Sequence, residues 1–240
     1  MIRFFVDVDI AENQRVLITG EDAQHLRVLR VRTGEELEIV GKQAIAWRAV
    51  VVGLANNSVD LNIQEQIKNR NELHIRVVLF QSLLKSDKMD FVVQKAVELG
   101  VSEVVPVLTQ RSIATGDRAM RWRRIAKHAA MQSRRDVIPH VCEVLGFEEA
   151  LGYAEGLGCV LAAHEDAHRQ RLSFCASRAL EKGIGSIGIF VGPEGGLSPA
   201  EICVMEDRGI ICANLGPRIL RAETAAIVVL SAILLSAGEV

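Results

Sequence analysis

Two loops near the C-terminal end of the chain carry the residues best suited to chemistry. The first is Gly192-Pro193-Glu194-Gly195-Gly196, and the second is Leu215-Gly216-Pro217-Arg218-Ile219-Leu220-Arg221. Glycine has no Cβ and tolerates positive φ, so the first loop can bring backbone N–H and C=O groups close to a ligand. The second loop sets two guanidiniums three residues apart, which suits an anionic or electron-rich substrate. Plainer alternatives exist: a turn with a helix cap for the first, a solvated ion-pair turn for the second. Two nucleotide-site patterns are excluded, because no Lys-Ser/Thr pair follows at the Walker spacing and no G-x-G-x-x-G is present.

The flanking sequence says how these loops are held. Ser186-Ile187-Gly188-Ile189-Phe190-Val191 reads as a buried strand, and Ser198-Pro199-Ala200-Glu201 reads as an N-cap, a proline at the first helical position and a capping-box glutamate. The order is strand, tight loop, helix. Ile210 to Leu215 is a second strand-like run that leads through the two arginines to a helix starting near Ala222. Two such loops at one edge of a sheet are where open α/β proteins build ligand sites.

From His74 onward, strand-like runs alternate with helical patterns: Ile75 to Phe80, helix Asp87 to Leu99, Val104 to Leu108, a basic helix, Cys159 to Ala163 and helix Arg169 to Lys182. This alternation predicts a mainly parallel sheet covered by helices. Residues 1–70 differ. Short β-like runs at Phe4-Val6, Arg15-Ile18, Glu36-Val40, Trp47-Leu54 and Ser58-Ile63, the last beyond an Asn56-Asn57 turn, predict a small β-barrel. The polar, unpatterned Lys68 to Glu72 is the expected linker, giving domains 1–70 and 71–240.

The chain has 240 residues, 49% of them hydrophobic, which is enough for a substantial core. Five cysteines without a C-x-x-C pair favour reduced thiols. No signal peptide is apparent, and the longest apolar run, Ala225 to Ala237, is too short to span a bilayer. A cytoplasmic protein without membrane partners is expected.

Net charge is −2, but Arg118, Arg121, Arg123, Arg124, Lys127, Arg134 and Arg135 fall in one stretch without an acidic residue, so the rest of the chain carries −9. Such a basic stretch, with Trp122 offering an aromatic face, suits phosphate neutralisation on a nucleic acid, and a solvated helix face is the simpler alternative. His164-Glu165-Asp166-Ala167-His168 fits the H-E-x-x-H pattern of zinc hydrolases. Its place directly after a strand-like run is poor context for two histidines on one helical face, and no metal is expected.

With the two loops, further residues make up a pattern that spans the chain: Arg3-Phe4-Phe5, His25-Leu26, Val28-Leu29-Arg30, Gly34, Lys85, Lys88-Met89-Asp90, Gln94-Lys95, Glu98 to Val101, Arg111-Ser112, Gln132-Ser133, Arg135, Pro139 and His164-Glu165. The chain resembles the RsmE family of 16S rRNA uridine-N3 methyltransferases in the SPOUT superfamily. It departs from the family's usual residues at Gln110, His128 and Met131.

The resemblance implies a PUA-like RNA-binding barrel followed by an α/β domain with a trefoil knot, a homodimer, S-adenosylmethionine as cofactor, and 16S rRNA or the small ribosomal subunit as partner. Three loops would then hold the cofactor, through Leu161, Ala163 and His164, through Val191, Gly192, Pro193, Gly195 and Gly196, and through Leu215, Gly216, Ile219, Leu220, Thr224 and Ala225. Arg221, with Arg218 second, is expected to stabilise charge developing on uracil. Arginine cannot take up the N3 proton, so Glu194 or solvent remains as acceptor. Arg3, His25, Arg30, Arg111, Arg123, Arg124, Arg134 and Arg135 are the expected RNA contacts. The alternative functions are an RNA-binding assembly factor without transfer activity and a zinc hydrolase.

Overall fold

The structure is a computed structural model and describes residues 2–68, 71–85, 87–113, 118–165, 167 and 170–239. It divides into two compact units, residues 1–72 with 130–137, and residues 73–129 with 138–240.

The first unit is a five-stranded sheet curled around one apolar core. Its strands are β1 (Ile2–Phe5), β2 (Arg15–Thr19), β3 (Glu36–Val40), β4 (Ala46–Ala55) and β5 (Ser58–Ile67), in the order β1-β3-β4-β5-β2. Alternation decides the inward face: Val16 and Ile18 of β2 are buried while their neighbours are exposed. The Asn56-Asn57 pair joins β4 to β5 as expected. Helix α1 (Gly20–Val28) was not expected, because only Ala23 and Leu26 of its nine residues are buried and the apolar spacing is correspondingly faint.

Part of the expected linker is fixed within this unit, while Asn69 and Arg70 lie outside the described residues. The amide of Asn71 donates to the Arg134 carbonyl at 2.7 Å. The Glu72 carboxylate accepts from the Arg135 guanidinium at 2.6 Å and from the backbone N–H groups of Asp136 and Val137. These bonds place residues 130–137 in the first unit, although they follow the basic helix in sequence.

The second unit is a parallel sheet of β6 (Arg76–Ser82), β7 (Glu103–Leu108), β8 (His140–Val141), β9 (Leu145–Gly146), β10 (Cys159–Ala163), β11 (Ser186–Val191) and β12 (Ile211–Ala213). Its order is β12-β10-β11-β6-β7-β8, with β9 also paired to β7. Helices α2 (Lys88–Glu98), α3 (Ala119–Gln132), α4 (Phe147–Ala154), α5 (Leu172–Glu181), α6 (Pro199–Asp207) and α7 (Ala222–Ala237) alternate with these strands. Residue Arg169 of the expected α5 start lies outside the described residues. The chain leaves β11, forms α6 and returns past β10 to add β12 on its far side.

Gly188 of β11 shows how tightly the middle of the sheet is covered. A Cβ there would fall 2.6 Å from Leu157 and 3.1 Å from Phe80, whose ring stacks on Phe190 at 4.3 Å. No helix among the described residues is long and apolar enough to cross a membrane.

Candidate active site

Because β10, β11 and β12 are parallel neighbours, their C-terminal ends release three loops on the same edge of the sheet. Those loops enclose a cavity of about 400 Å³, within the range of small-molecule sites. Ala163, His164 and Glu165 line it after β10, most of the glycine loop after β11, and Leu215, Gly216, Arg218 to Ala222 and Ala225 after β12. Lys88 enters from the start of α2.

The glycine loop folds back closely on itself. A Cβ on Gly192 would lie 3.0 Å from the Leu197 nitrogen and 3.2 Å from the Gly196 carbonyl carbon, and Gly196 itself has φ +70°. The loop is braced from both ends. Arg111 Nη1 donates to the Gly195 carbonyl at 2.8 Å, and Ser198 caps α6 in the expected box, with Glu201 returning a bond to the Ser198 N–H at 2.8 Å. The second Glu201 oxygen accepts from the Gln110 N–H at 2.7 Å, tying the loop after β7 to the same helix. Across the cavity, the Asn214 side chain donates to the Ala167 and Gln170 carbonyls and accepts from the Gly216 N–H.

Charge is arranged unevenly here. Lys88 Nζ lies 3.1 Å from Glu194 and 3.4 Å from Glu223, linking α2, the glycine loop and the first turn of α7. Burial alone would push the Glu194 carboxyl up, but its own backbone N–H, the Lys88 ammonium and the Lys85 N–H outweigh it and hold it below the usual carboxylate range. The hydrogen bond to Glu194 likewise raises Lys88. Arg218 and Arg221 are exposed at the mouth, and Ile219 between them is 86% exposed, unusual for isoleucine in a loop that lines a cavity.

Sequence comparison decides what family builds this cavity. The family described as RNA methyltransferase domain matches residues 71–234, and the RNA methyltransferase PUA domain matches residues 18–64. A ribosomal RNA small subunit methyltransferase E from Bacillus subtilis is 32% identical over 97% of this chain and 96% of its own length. The chain belongs to this methyltransferase E family. A relative of the same name from Mesomycoplasma hyopneumoniae is 32% identical over 96% of this chain and 98% of its own. The crystal structure of the Neisseria gonorrhoeae methyltransferase E, bound to S-adenosyl methionine, aligns with a TM-score of 0.87 at 30% identity, covering 98% of this chain and 97% of that one.

In this methyltransferase, the cavity gathers most of the residues expected at the cofactor and all three expected at the chemistry, Glu194, Arg218 and Arg221. Leu161 is buried within β10, Gly195 faces Arg111, and Thr224 is exposed on α7, so these three stand outside the lining. Lys88, Glu165, Leu197 and Ala222 line it without having been assigned a role from sequence. The pairing of Lys88 with Glu194 was the hardest to foresee, since 106 positions separate them.

The expected RNA contacts divide sharply. Arg3 is 3% exposed, bonded to Glu38, Asp136 and the Arg134 carbonyl, and Arg135 is buried on Glu72. These buried guanidiniums, paired with partly buried carboxylates, hold the first unit together. Arg111 braces the glycine loop, and Arg123 is held by the Val141 carbonyl and Glu143. Trp122 corrects the expectation of an aromatic contact face, because it is 1% exposed and belongs to the core. His25 is half-buried, edge-on to Phe4. Arg30, Arg124 and Arg134 are exposed.

The H-E-x-x-H match gains no support. His164 follows the end of β10, its N–H bonded to the Ala213 carbonyl, and not on a helix, while Asp166 and His168 lie outside the described residues.

Proposed function

We propose that this protein transfers a methyl group from S-adenosylmethionine to N3 of a uridine in 16S rRNA of the small ribosomal subunit. The cavity carries this reading. Gly192 lets the loop fold back against the Leu197 nitrogen and Gly196 turns at positive φ, so backbone lines the cavity, and Leu197, Leu215 and Leu220 supply aliphatic walls for a purine face. The cofactor supplies a methyl group on a sulfonium, which a nucleophile can accept directly. The name and bound cofactor of the Neisseria gonorrhoeae relative support the same assignment.

The chain's own residues then have separable tasks. Loops braced by Arg111, Ser198 and Asn214 fix the geometry of approach, which is the larger part of catalysis in such a transfer. Arg221, with Arg218 beside it, presents a guanidinium to the negative charge that develops on the uracil ring as the N3 proton departs. Glu194, with its carboxyl below the ordinary range and ion-paired to Lys88, is a weak base and serves first to order the loop. Arg30, Arg124 and Arg134 are the exposed cations proposed to meet RNA phosphates.

A cytoplasmic homodimer with a trefoil knot, organised as domains 1–70 and 71–240, belongs to the same reading. The return of the chain past β10 into β12 supports the knot. Helix α7 supports the dimer: it packs on α2, α5 and β11, yet leaves Val228 and Leu235 exposed. Sedimentation at micromolar concentration would read the assembly state, and a monomer would remove the dimer from the reading.

The deciding experiment is transfer of labelled methyl from S-adenosylmethionine to small subunits lacking their native methylations, followed by nucleoside analysis. Labelled 3-methyluridine is the expected product. Label on another nucleoside would reject the uridine assignment, and RNA binding without label or cofactor affinity would favour an assembly factor.

A further inference from the structure

At the opposite edge of the parallel sheet lies a second polar cluster. Glu103 begins β7 and His140 is its register partner at the start of β8. Cys142 follows two residues after His140, so period-two alternation returns its side chain to the same face. Glu103 and Cys142 are buried and His140 is exposed. The cluster stands at the N-terminal ends of the strands, while the methyltransferase cavity opens at their C-terminal ends.

The three donor atoms stand within a few tenths of an ångström of metal-ligand spacing, the two pairs that include Glu103 being the shorter. Glu103 Oε1 lies 3.1 Å from His140 Nδ1 and 3.2 Å from Cys142 Sγ, and Sγ lies 3.5 Å from Nδ1. Around tetrahedral zinc, with Zn–N about 2.0–2.1 Å and Zn–S about 2.3 Å, ligand atoms stand roughly 3.3–3.6 Å apart. The supporting contacts are those of a second coordination layer. The Tyr153 hydroxyl donates to Glu103 Oε1 at 2.7 Å, and Arg76 Nη2 donates to Oε2 at 2.9 Å. Oxygen Oε1 therefore faces three polar groups at once, Tyr153, His140 and Cys142, where a carboxylate oxygen offers about two acceptor sites.

We propose that Glu103, His140 and Cys142 form a binding site for a divalent transition-metal ion of the zinc class, with the fourth position open to solvent beside the exposed His140. On binding, the Cys142 thiol loses its proton to solvent and its sulfur bonds the metal as thiolate. His140 binds as neutral imidazole and Glu103 through carboxylate oxygen, and no electron changes hands. The ion would pin the edge strand β8 to β7. It would also secure the basic helix, because Arg123 of α3 grips the Val141 carbonyl and Glu143 on either side of Cys142. The site is distant from the methyl-transfer chemistry, at the opposite ends of the strands.

The test uses the reduced, full-length protein titrated with Co²⁺ and with Zn²⁺. One ion per chain is expected, with a thiolate-to-cobalt charge-transfer band that Zn²⁺ abolishes, about one proton released per ion, and a higher unfolding temperature. Cys142→Ser and His140→Asn should each remove the band, whereas Cys203→Ser, at an exposed thiol, should keep it. Tyr153→Phe should weaken affinity about tenfold. His140 is exposed, so its variant is expected to fold even where a core substitution does not. No band in the native protein, or a band that persists in both ligand variants, would overturn the site.

Discussion

The two ends of the seven-stranded sheet are both polar, and they handle their charges in opposite ways. At the N-terminal edge, Glu103 is satisfied by Arg76, Tyr153, His140 and Cys142. At the C-terminal edge, Arg218, Arg221 and the large apolar Ile219 are left exposed around a cavity, and the polar contacts there serve to hold loops open. The inward-paired cluster serves the fold, through its hydrogen bonds or through the ion proposed there, and the exposed one faces the methyltransferase cavity. The two edges can therefore be separated by what their loss affects.

The largest expected effect comes from the open edge. Arg221→Ala should lower kcat by roughly 10²–10³, the scale for losing one preorganised charge stabiliser. Unfolding temperature and S-adenosylmethionine affinity should stay near those of the native protein, because Arg221 is exposed and has no carboxylate partner among the described residues. Calorimetry of cofactor binding beside single-turnover methylation checks both halves. Unchanged transfer with fold intact would take Arg221 out of the chemistry.

The closed edge should show the reverse. Burial alone would raise Glu103, yet hydrogen bonds from Tyr153, His140, Arg76 and Cys142 bring its carboxyl down to about 2. A folded-state pKa below the unfolded value means stability that is present above about pH 4.5 and is lost as pH falls toward 2. The shift corresponds to about 3 kcal/mol. Glu103→Gln should remove that acid limb from denaturant melts taken between pH 2 and 5 and lower stability at pH 7, with little change in methyl transfer. An acid limb that survives in the variant would assign it to other carboxylates.

These edges were not equally legible in the sequence. Apolar runs bounded β10 and β11 to the residue, the alternating Glu36 to Val40 did the same for β3, and Ser198 with Glu201 announced the start of α6, because these signals are local. The cavity followed from them, since parallel strands put successive loops on one edge. What stayed hidden depends on partners far along the chain. Arg3 meets Asp136 across 133 positions and Arg111 meets Gly195 across 84, so a basic residue reads alike whether it ends on a phosphate, a carboxylate or a backbone carbonyl. Trp122 misleads for a related reason: five nearby cations surround it in sequence, while helical periodicity turns its ring into the core.

Lys88 tests the boundary between the two kinds of edge, because it lies in the open site but is paired like a member of the closed one. It joins Glu194 to Glu223, two residues after Arg221. Lys88→Gln should cost about tenfold in kcat/KM, equivalent to about 1.4 kcal/mol at the transition state. The loss should fall on kcat if Lys88 aligns Arg221 and on KM if it only shapes the cofactor loop. A Lys88→Arg variant should recover part of it. No change in either constant would leave the pair as surface electrostatics.

The smallest effect should come from the brace beneath the glycine loop. Ser198 caps α6 through a 3.2 Å bond from the Glu201 N–H, and its removal in Ser198→Ala should lower stability by about 1 kcal/mol. Glu201 would still hold the Gln110 N–H at 2.7 Å, so the loop after β7 keeps its tie to α6 and methyl transfer should fall less than in Lys88→Gln. Glu201→Gln weakens both bonds of that carboxylate together, and should exceed Ser198→Ala in its effect on cofactor affinity. If the cap and the tie are independent, the double variant is additive within about 0.5 kcal/mol. A larger coupling would mean that the open edge, despite its exposed cations, stands on a polar network as cooperative as the one around Glu103.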